Sequence, residues 1–188
     1  MAQAKTFTDK EIRRVLDYIA TRPHALRNRV MLLMTFQVGC RVGEVAHIKL
    51  GDIIDSDGEV RDEVRLSPEQ TKGKHARTLF LNERIRRELA EYIKTIRHQD
   101  LEKPLFFTQK RYGFTPNTLA QHFFHLYRNA GIDHASSHSG RRTFITNLAS
   151  RGVGVRVLMS LANHRSISTT QAYIDVNDDM KRRAVELV

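Results

Sequence analysis

His138-Ser139-Gly140-Arg141-Arg142-Thr143-Phe144-Ile145 opens a stretch that runs on through Leu161-Ala162-Asn163-His164 and closes with Ser168-Thr169-Thr170-Gln171-Ala172-Tyr173. Residues three apart on a helix share a face, so His138 and Arg141 can present an imidazole and a guanidinium to one ligand. A planar guanidinium matches two oxygens of a phosphate. A positioned imidazole donates a hydrogen bond or a proton. Tyr173 lies nine positions after a second histidine, His164, and is a candidate nucleophile. The remainder of the chain is read outward from what such a site would need.

With 188 residues the chain is long enough for one substantial domain. Hydrophobic residues make up 40% and charged residues 28%, a globular rather than a disordered balance. No apolar run approaches the ~18 residues that span a bilayer, and the first five residues carry no apolar signal core. The single cysteine, Cys40, excludes an internal disulfide or a cysteine-rich metal site, and a reducing cytosol is the simplest setting. The net charge of +10 and a pI near 10.1 favour a polyanionic partner. No stretch pairs a basic face with a strongly apolar one, which disfavours a membrane surface and leaves nucleic acid.

Local patterns predict a mainly helical domain with a small antiparallel sheet, of α+β class. Thr8 and Glu11 form a capping box with Phe7 as staple, ahead of the helical stripe Ile12, Val15, Leu16 and Ile19. Thr21-Arg22-Pro23 breaks that helix. A central apolar helix then runs from near His24 through Val30–Met34 to Gly39, followed by a short helix from Arg41 to Ile48. Residues 49–82 read as an antiparallel meander, with turns at Asp57-Gly58 and Lys72-Gly73-Lys74 and strand-like Val60, Val64, Leu66 and Leu79 to Leu81. Helices return at Asn82 (Ile85, Leu89, Ile93, Ile96) and at Thr115-Pro116 (Leu119, Phe123, Leu126, Ala130). A helix from about Ser139 buries Phe144, Ile145 and Leu148. Others reach Ala162, cover Thr169 to Tyr173, and run from Asp178 to Val188. Residues 1–6 form a flexible lead, 7–176 the domain and 177–188 a terminal helix.

Taken singly, the candidate residues are ambiguous. Arg41, in Gly39-Cys40-Arg41-Val42-Gly43-Glu44, has Glu44 three positions on to hold its guanidinium, yet the two also make an ordinary exposed helical pair. Lys72, in Thr71-Lys72-Gly73-Lys74-His75-Ala76-Arg77, could swing from a hairpin tip to protonate an alkoxide, or be a solvated turn residue. His138 and Arg141 could be a basic helix start, His164 a satisfied buried histidine, and Tyr173 a half-buried aromatic.

Taken in order, Arg41, Lys72, His138-x-x-Arg141, His164 and Tyr173 resemble the catalytic domain of the tyrosine recombinases, the phage integrase family, from about Phe7 onward. The resemblance implies that Arg41 and Arg141 bind the non-bridging oxygens of a scissile phosphate, and that Lys72 is the general acid for the leaving 5′ oxygen. By the same resemblance His138 assists proton transfer at the nucleophile, His164 hydrogen-bonds the phosphate, and Glu44 supports the site. Tyr173 attacks phosphorus, leaving a 3′-phosphotyrosyl link. No metal or nucleotide cofactor is implied, which fits the lack of a carboxylate cluster and of a phosphate-cradling Gly-rich loop.

The same likeness implies double-stranded DNA as partner, a protein that is cytoplasmic and nucleoid-associated, and site-specific recombination of the kind used by mobile elements, with integration, excision, inversion and resolution all open. It further implies a homo-oligomer, a tetramer on DNA, and leaves the DNA-free state open, a monomer among the alternatives. Within such an assembly the segment with Met180, Ala184 and Val188 docks on a neighbouring protomer; by its own spacing it is a helix packing on its own domain. Arg77, Lys110 and Arg111 are candidate phosphate contacts or solvated surface. Arg142 stands where many members have histidine, Asn163 where glycine is common, and Lys74 lies two residues from Lys72. The N-terminal helical domain of most members has no counterpart here, so the chain is a catalytic fragment or a short member like the fimbrial-switch recombinases. Two rival functions are a type IB topoisomerase, which shares the nucleophile and arginines, and a non-catalytic DNA-binding regulator, which would not need Tyr173.

Overall fold

The computed structural model describes residues 4–97, 100–110, 112–174 and 178–186. Thr8 caps helix α1 (Asp9–Ala20): its hydroxyl accepts from the Glu11 N–H, and the Glu11 carboxylate accepts from the Thr8 N–H at 2.9 Å. Val15, Leu16 and Ile19 form the buried stripe. Phe7 is buried against the rings of Phe36 and Tyr127. The lead into α1 is tied down, since Lys5 pairs with Glu11 at 2.7 Å and Thr6 accepts a hydrogen bond from Arg142.

Helix α2 (Ala25–Gln37) is the centre of the domain. Val30, Met31, Leu32, Leu33 and Met34 are all buried, the pattern of a helix covered on every side. It packs against α1, against α5 (Glu83–Ile93) and against α7 (Ser139–Ser150). Two glycines set how close α2 and α7 come. Gly39 ends α2 at φ +71°, and a Cβ there would lie 2.4 Å from Phe144 Cδ1. At Gly140 a Cβ would lie 2.1 Å from Thr35 Oγ1. Both glycines sit beside arginines of the quoted motifs, so the close crossing brings Arg41 and Arg141 to one place.

Residues 49–82 depart from a simple meander. After α3 (Val42–His47) comes a one-turn helix, α4 (Leu50–Ile53), whose start is capped by the Asp52 carboxylate accepting from the Lys49 N–H at 2.8 Å. Ile54 and Val60 make only an isolated bridge. The sheet consists of β1 (Glu63–Leu66) antiparallel to β2 (Arg77–Phe80), with Val64 opposite Leu79. A 3₁₀ turn over Pro68–Gln70 lies between them. Alternation puts Val64, Leu66, Leu79 and also Arg77 on the core face and leaves Phe80 exposed.

Asn82 caps α5 through its side chain, and Ile85 and Leu89 are buried. Thr115 and Pro116 open α6 (Pro116–Asn129), which buries Leu119, Phe123, Leu126 and Tyr127. On α7, Ile145 and Ala149 are buried, whereas Phe144, lying against Gly39, and Leu148 are half-buried. Helices α8 (Val155–Ala162), α9 (Ile167–Gln171) and α10 (Asp178–Val185) follow. On α10 Ala184 is exposed; Val188 lies outside the described residues. Among the described residues no helix is long and apolar enough to cross a membrane. The fold is therefore the mainly helical domain with one small antiparallel sheet that the sequence patterns predict.

Because Gly140 faces Thr35 at the α2–α7 crossing, Gly140→Ala should overpack it and cost about 1–3 kcal/mol. Urea unfolding should show a lowered midpoint, whereas Gly152→Ala, whose Cβ meets nothing within 4 Å but whose φ is +86°, reports only backbone strain.

Candidate active site

Helix α8 ends at Asn163 in the left-handed conformation (φ 49°, ψ 50°). Glycine and asparagine are the residues that enter this region most readily, so asparagine fills a position where glycine also fits. The turn aims the last carbonyls of α8 at three guanidinium groups. Leu161 O accepts from Arg77 Nη2 at 2.6 Å, Ala162 O accepts from Arg141 Nη2, and Asn163 O accepts from Arg41 Nη2 at 3.3 Å. A helix C-terminus carries unsatisfied carbonyls and a partial negative charge, and these cations answer both.

Glu44, buried on α3, holds two of the same arginines. Its Oε1 accepts from Arg41 Nη1 at 2.9 Å, and its Oε2 accepts from Arg77 Nη1 and from the Arg41 N–H at 2.8 Å. Arg141 is also buried, and its Nη1 donates to Gly39 O at 2.7 Å. Among the described residues it forms no salt bridge. Burial, and then the nearby Arg41 and Arg77 charges, push the Arg141 guanidinium down to about 9. It is still cationic at neutral pH. Three arginines against one carboxylate leave a buried excess of positive charge, a setting that an anion would relieve.

His164 extends the cluster. Its Nε2 lies 2.9 Å from Arg141 Nη2, which can only donate, so Nε2 accepts and Nδ1 carries the proton toward Thr170 Oγ1 at 3.0 Å. Burial, followed by repulsion from Arg141, Arg41 and Arg77, pushes the imidazole down to about 4. His164 is neutral at pH 7. The Tyr173 ring stacks on it with centroids 5.5 Å apart and planes 25° off parallel. Tyr173 O accepts from Thr146 Oγ1 of α7 at 3.2 Å. Arg41, Glu44, Arg141, His164 and Tyr173 are thereby joined in one contact network.

The other sequence candidates are placed differently. Lys72 is exposed on the connection between the 3₁₀ turn and β2, and among the described residues it makes no ion pair. His138 is the exposed N-cap of α7, its N–H donating to Ser136 Oγ at 3.3 Å; Arg141 turns into the buried cluster, so the two do not pair on one helix face. Arg77 is a correction. It is neither a surface phosphate contact nor solvated surface but is 4% exposed, bound to Glu44 and to the end of α8. Strand alternation with Leu79 carries the signal for that burial. Lys110 is exposed, and Arg111 lies outside the described residues. Thr170, whose hydroxyl takes the His164 Nδ1–H, and the carbonyl of Asn163 carry no signal in the residue pattern. Burial pushes the Cys40 thiol up to about 12, so it stays protonated among these cations.

The fold is mainly helical with one small sheet, and its site joins arginine, histidine and tyrosine side chains in one network. The sequence model for the "Phage integrase family" matches residues 5–180, and the chain belongs to that family, as its catalytic domain. Tyrosine recombinase XerA of Pyrococcus furiosus is 28% identical over 185 residues, covering 97% of this chain and 61% of that protein. Thus the chain spans about three-fifths of the length of this curated relative. The crystal structure of XerA recombinase superposes with a TM-score of 0.78 at 22% identity, over all of this chain and 66% of that one. A Tn1549 transposon integrase in complex with a circular intermediate DNA gives a TM-score of 0.77 at 18% identity, over 100% of this chain and 67% of that one.

Glu44→Gln would leave Arg41 and Arg77 without their carboxylate, at a cost of about 3–5 kcal/mol. A chemical-denaturation curve should show that loss, with Arg77→Met alone also destabilising. A second expectation concerns acid. His164 and His122 are both pushed from 6.5 to about 4, in each case by burial first. The unfolded chain therefore takes up these protons at higher pH than the folded one. The stability they contribute is present above pH 6.5 and drains away as pH falls toward 4. Urea midpoints measured across that window should drop, and His164→Asn or His122→Asn should flatten the slope.

Proposed function

We propose that this chain cuts and rejoins double-stranded DNA, as the catalytic domain of a site-specific recombinase, through a 3′-phosphotyrosyl intermediate. The observation that carries the proposal is Arg141: a buried cation beside Arg41, holding the histidine on which Tyr173 stacks. A phosphodiester has one negative charge and two non-bridging oxygens, which suits a surplus of guanidinium charge that is partly withdrawn from water.

In this scheme Arg41 and Arg141 take the non-bridging oxygens, and His164 adds a hydrogen bond to the phosphate by exchanging tautomers, so that Nε2, which accepts from Arg141 in the free protein, donates to the phosphate once it is bound. The Tyr173 Oη–P bond forms as the P–O5′ bond breaks. The phenolic proton passes toward His138, and O5′ takes a proton from Lys72 on the exposed connection ahead of β2. Phosphodiester energy is kept in the tyrosyl ester, so a 5′ hydroxyl of a second strand reverses the step with a new partner. The charge is met by arginines, so the scheme calls on no metal or nucleotide. Exchange between two duplexes needs more than one copy, so the working form is a homo-oligomer, a tetramer on DNA, with α10 reaching a neighbour. Lys110 and Arg111 are its proposed backbone contacts, and the nucleoid is its proposed place of action.

The test is a nicked suicide duplex carrying the attachment site that flanks the gene, scored for a covalent protein–DNA band. The wild type should form the band, Tyr173→Phe should abolish it, and Arg141→Ala should slow it by about 100-fold or more. Lys72→Ala should be slow on ordinary DNA yet recover on a 5′-bridging phosphorothiolate, whose thiolate leaves without a proton. No band from the wild type on a verified site would reject the proposal. Relaxation of supercoils without two-site exchange would instead mark a topoisomerase-like enzyme.

A further inference from the structure

Tyr173 lies just past α9, a helix of only five residues, and its N–H bonds back to Thr170 O at 2.9 Å. So short a helix holds its C-terminal flank loosely. The phenol ring itself is placed by neighbours from other elements. One is His164, already described. Another is Arg142, the residue after Arg141 on α7, whose Cζ lies 5.4 Å from the centre of the Tyr173 ring. This is cation–π range, and Arg142 is only 8% exposed, so the interaction is little screened by water.

Arg142 is itself anchored. Its Nε donates to Thr6 Oγ1 at 3.2 Å. The adjacent Thr143 Oγ1 accepts from the Phe7 N–H at 2.9 Å and donates to Ser139 O at 2.8 Å. One turn further along α7, Thr146 holds the Tyr173 carbonyl. Successive side chains of one helix therefore fix Arg141 in the charged cluster, Arg142 over the tyrosine ring and Thr146 on the tyrosine backbone. The segment ahead of α1 locks the middle member in place.

We infer that Arg142 is a positioning residue for the nucleophile: its guanidinium, braced by Thr6, holds the Tyr173 ring in register with Arg141 and His164. This rests on Tyr173 being the nucleophile proposed above. In-line attack tolerates little displacement, and a misplacement of about 1 Å can cost on the order of 100-fold in rate. A planar guanidinium lies along a ring face in a way that an ammonium does not. Arg142→Lys should therefore recover only part of what Arg142→Met loses.

The experiment uses the full chain in excess over the nicked suicide duplex, so that covalent-complex formation is a single turnover at saturating DNA. DNA affinity is measured separately by anisotropy, and folding by circular dichroism. Arg142→Met should slow complex formation about tenfold, equivalent to about 1.4 kcal/mol, while Kd for DNA stays within about twofold. The defect should persist on the 5′-bridging phosphorothiolate, which relieves only the leaving-group side, and Arg142→Lys should fall between. Three results would overturn the inference: wild-type cleavage by Arg142→Met, repair of its defect by the phosphorothiolate, or equal losses of cleavage and DNA affinity. If Arg142→Met does not fold, Arg142→Lys is judged against the wild type by the same criteria. A wild-type chain that forms no band overturns the proposed function and this inference together, whereas a wild-type band with an unaffected Arg142→Met overturns this inference alone.

Discussion

The C-terminal end of α8 meets three arginines and one carboxylate, and five segments of the chain converge there. Arg141 comes from α7, Arg77 from β2, Arg41 and Glu44 from the start of α3, and the Gly39 carbonyl from the end of α2. Each bond is charge-assisted and is worth about 1.5–3 kcal/mol against an unpaired alternative. Burying the ions costs much of that back, so the cluster does little for net stability compared with an apolar plug. What it does is specify geometry. Leu161, Ala162 and Asn163 each face a different guanidinium, and displacing α8 by one residue would mismatch all three.

The cluster depends in turn on backbone approach. Arg41 and Arg141 belong to different helices, and they meet because α2 and α7 cross without a side chain between Gly140 and Thr35. At the same crossing Gly39 takes a left-handed turn under the Phe144 ring, and the Cys40 N–H closes the end of α2 on Met34 O at 3.1 Å. Gly39 O is left to receive Arg141. The glycines beside the arginines in both motifs are thus part of the site's construction, because a methyl group at either would push the guanidinium-bearing segments apart.

The helices and their caps were legible in the sequence because both signals are local. Thr8 with Glu11, Asn82, and Thr115 with Pro116 act within four residues of themselves. The sheet was legible in part: the alternation of Val64 and Leu66 is a local pattern, but the one-turn helix at Leu50–Ile53 depends on a single carboxylate cap at Asp52. Within the site, residue types and order pointed to Arg41, Glu44, Arg141, His164 and Tyr173, which the fold brings into contact. Arg77 was misread because its charge was weighed above its strand register, and a buried guanidinium is tolerable only with partners that lie 33 and 84 positions away in the chain. His138 and Arg141 were treated as two residues of one helix, whereas His138 is the cap and stays outside it. Thr170 carried no signal, since its role exists only once His164 has folded back over α9.

Anion sites in proteins commonly use the positive N-terminal pole of a helix, with backbone N–H groups aimed at the ligand. The phosphate site proposed here uses the opposite pole. The carbonyl end of α8 attracts guanidinium groups, and a guanidinium has five N–H donors, more than one carbonyl consumes. Arg141 spends donors on Gly39 O, Ala162 O and His164, and Arg41 on Glu44 and Asn163 O. The arginines are therefore rigid before any ligand arrives, and their charge is only partly neutralised. Rigidity removes the entropy of ordering long side chains when a ligand binds, and incomplete neutralisation keeps the field that attracts it. A lysine at either position would offer three donors on a flexible stem, and the carbonyls of α8 would use up a larger share of them. The same arrangement keeps His164 neutral, because an imidazolium could not accept from Arg141. Neutral His164 is in turn a flat, uncharged surface on which the Tyr173 ring can stack. The geometry around the tyrosine thus follows from the pole of one short helix.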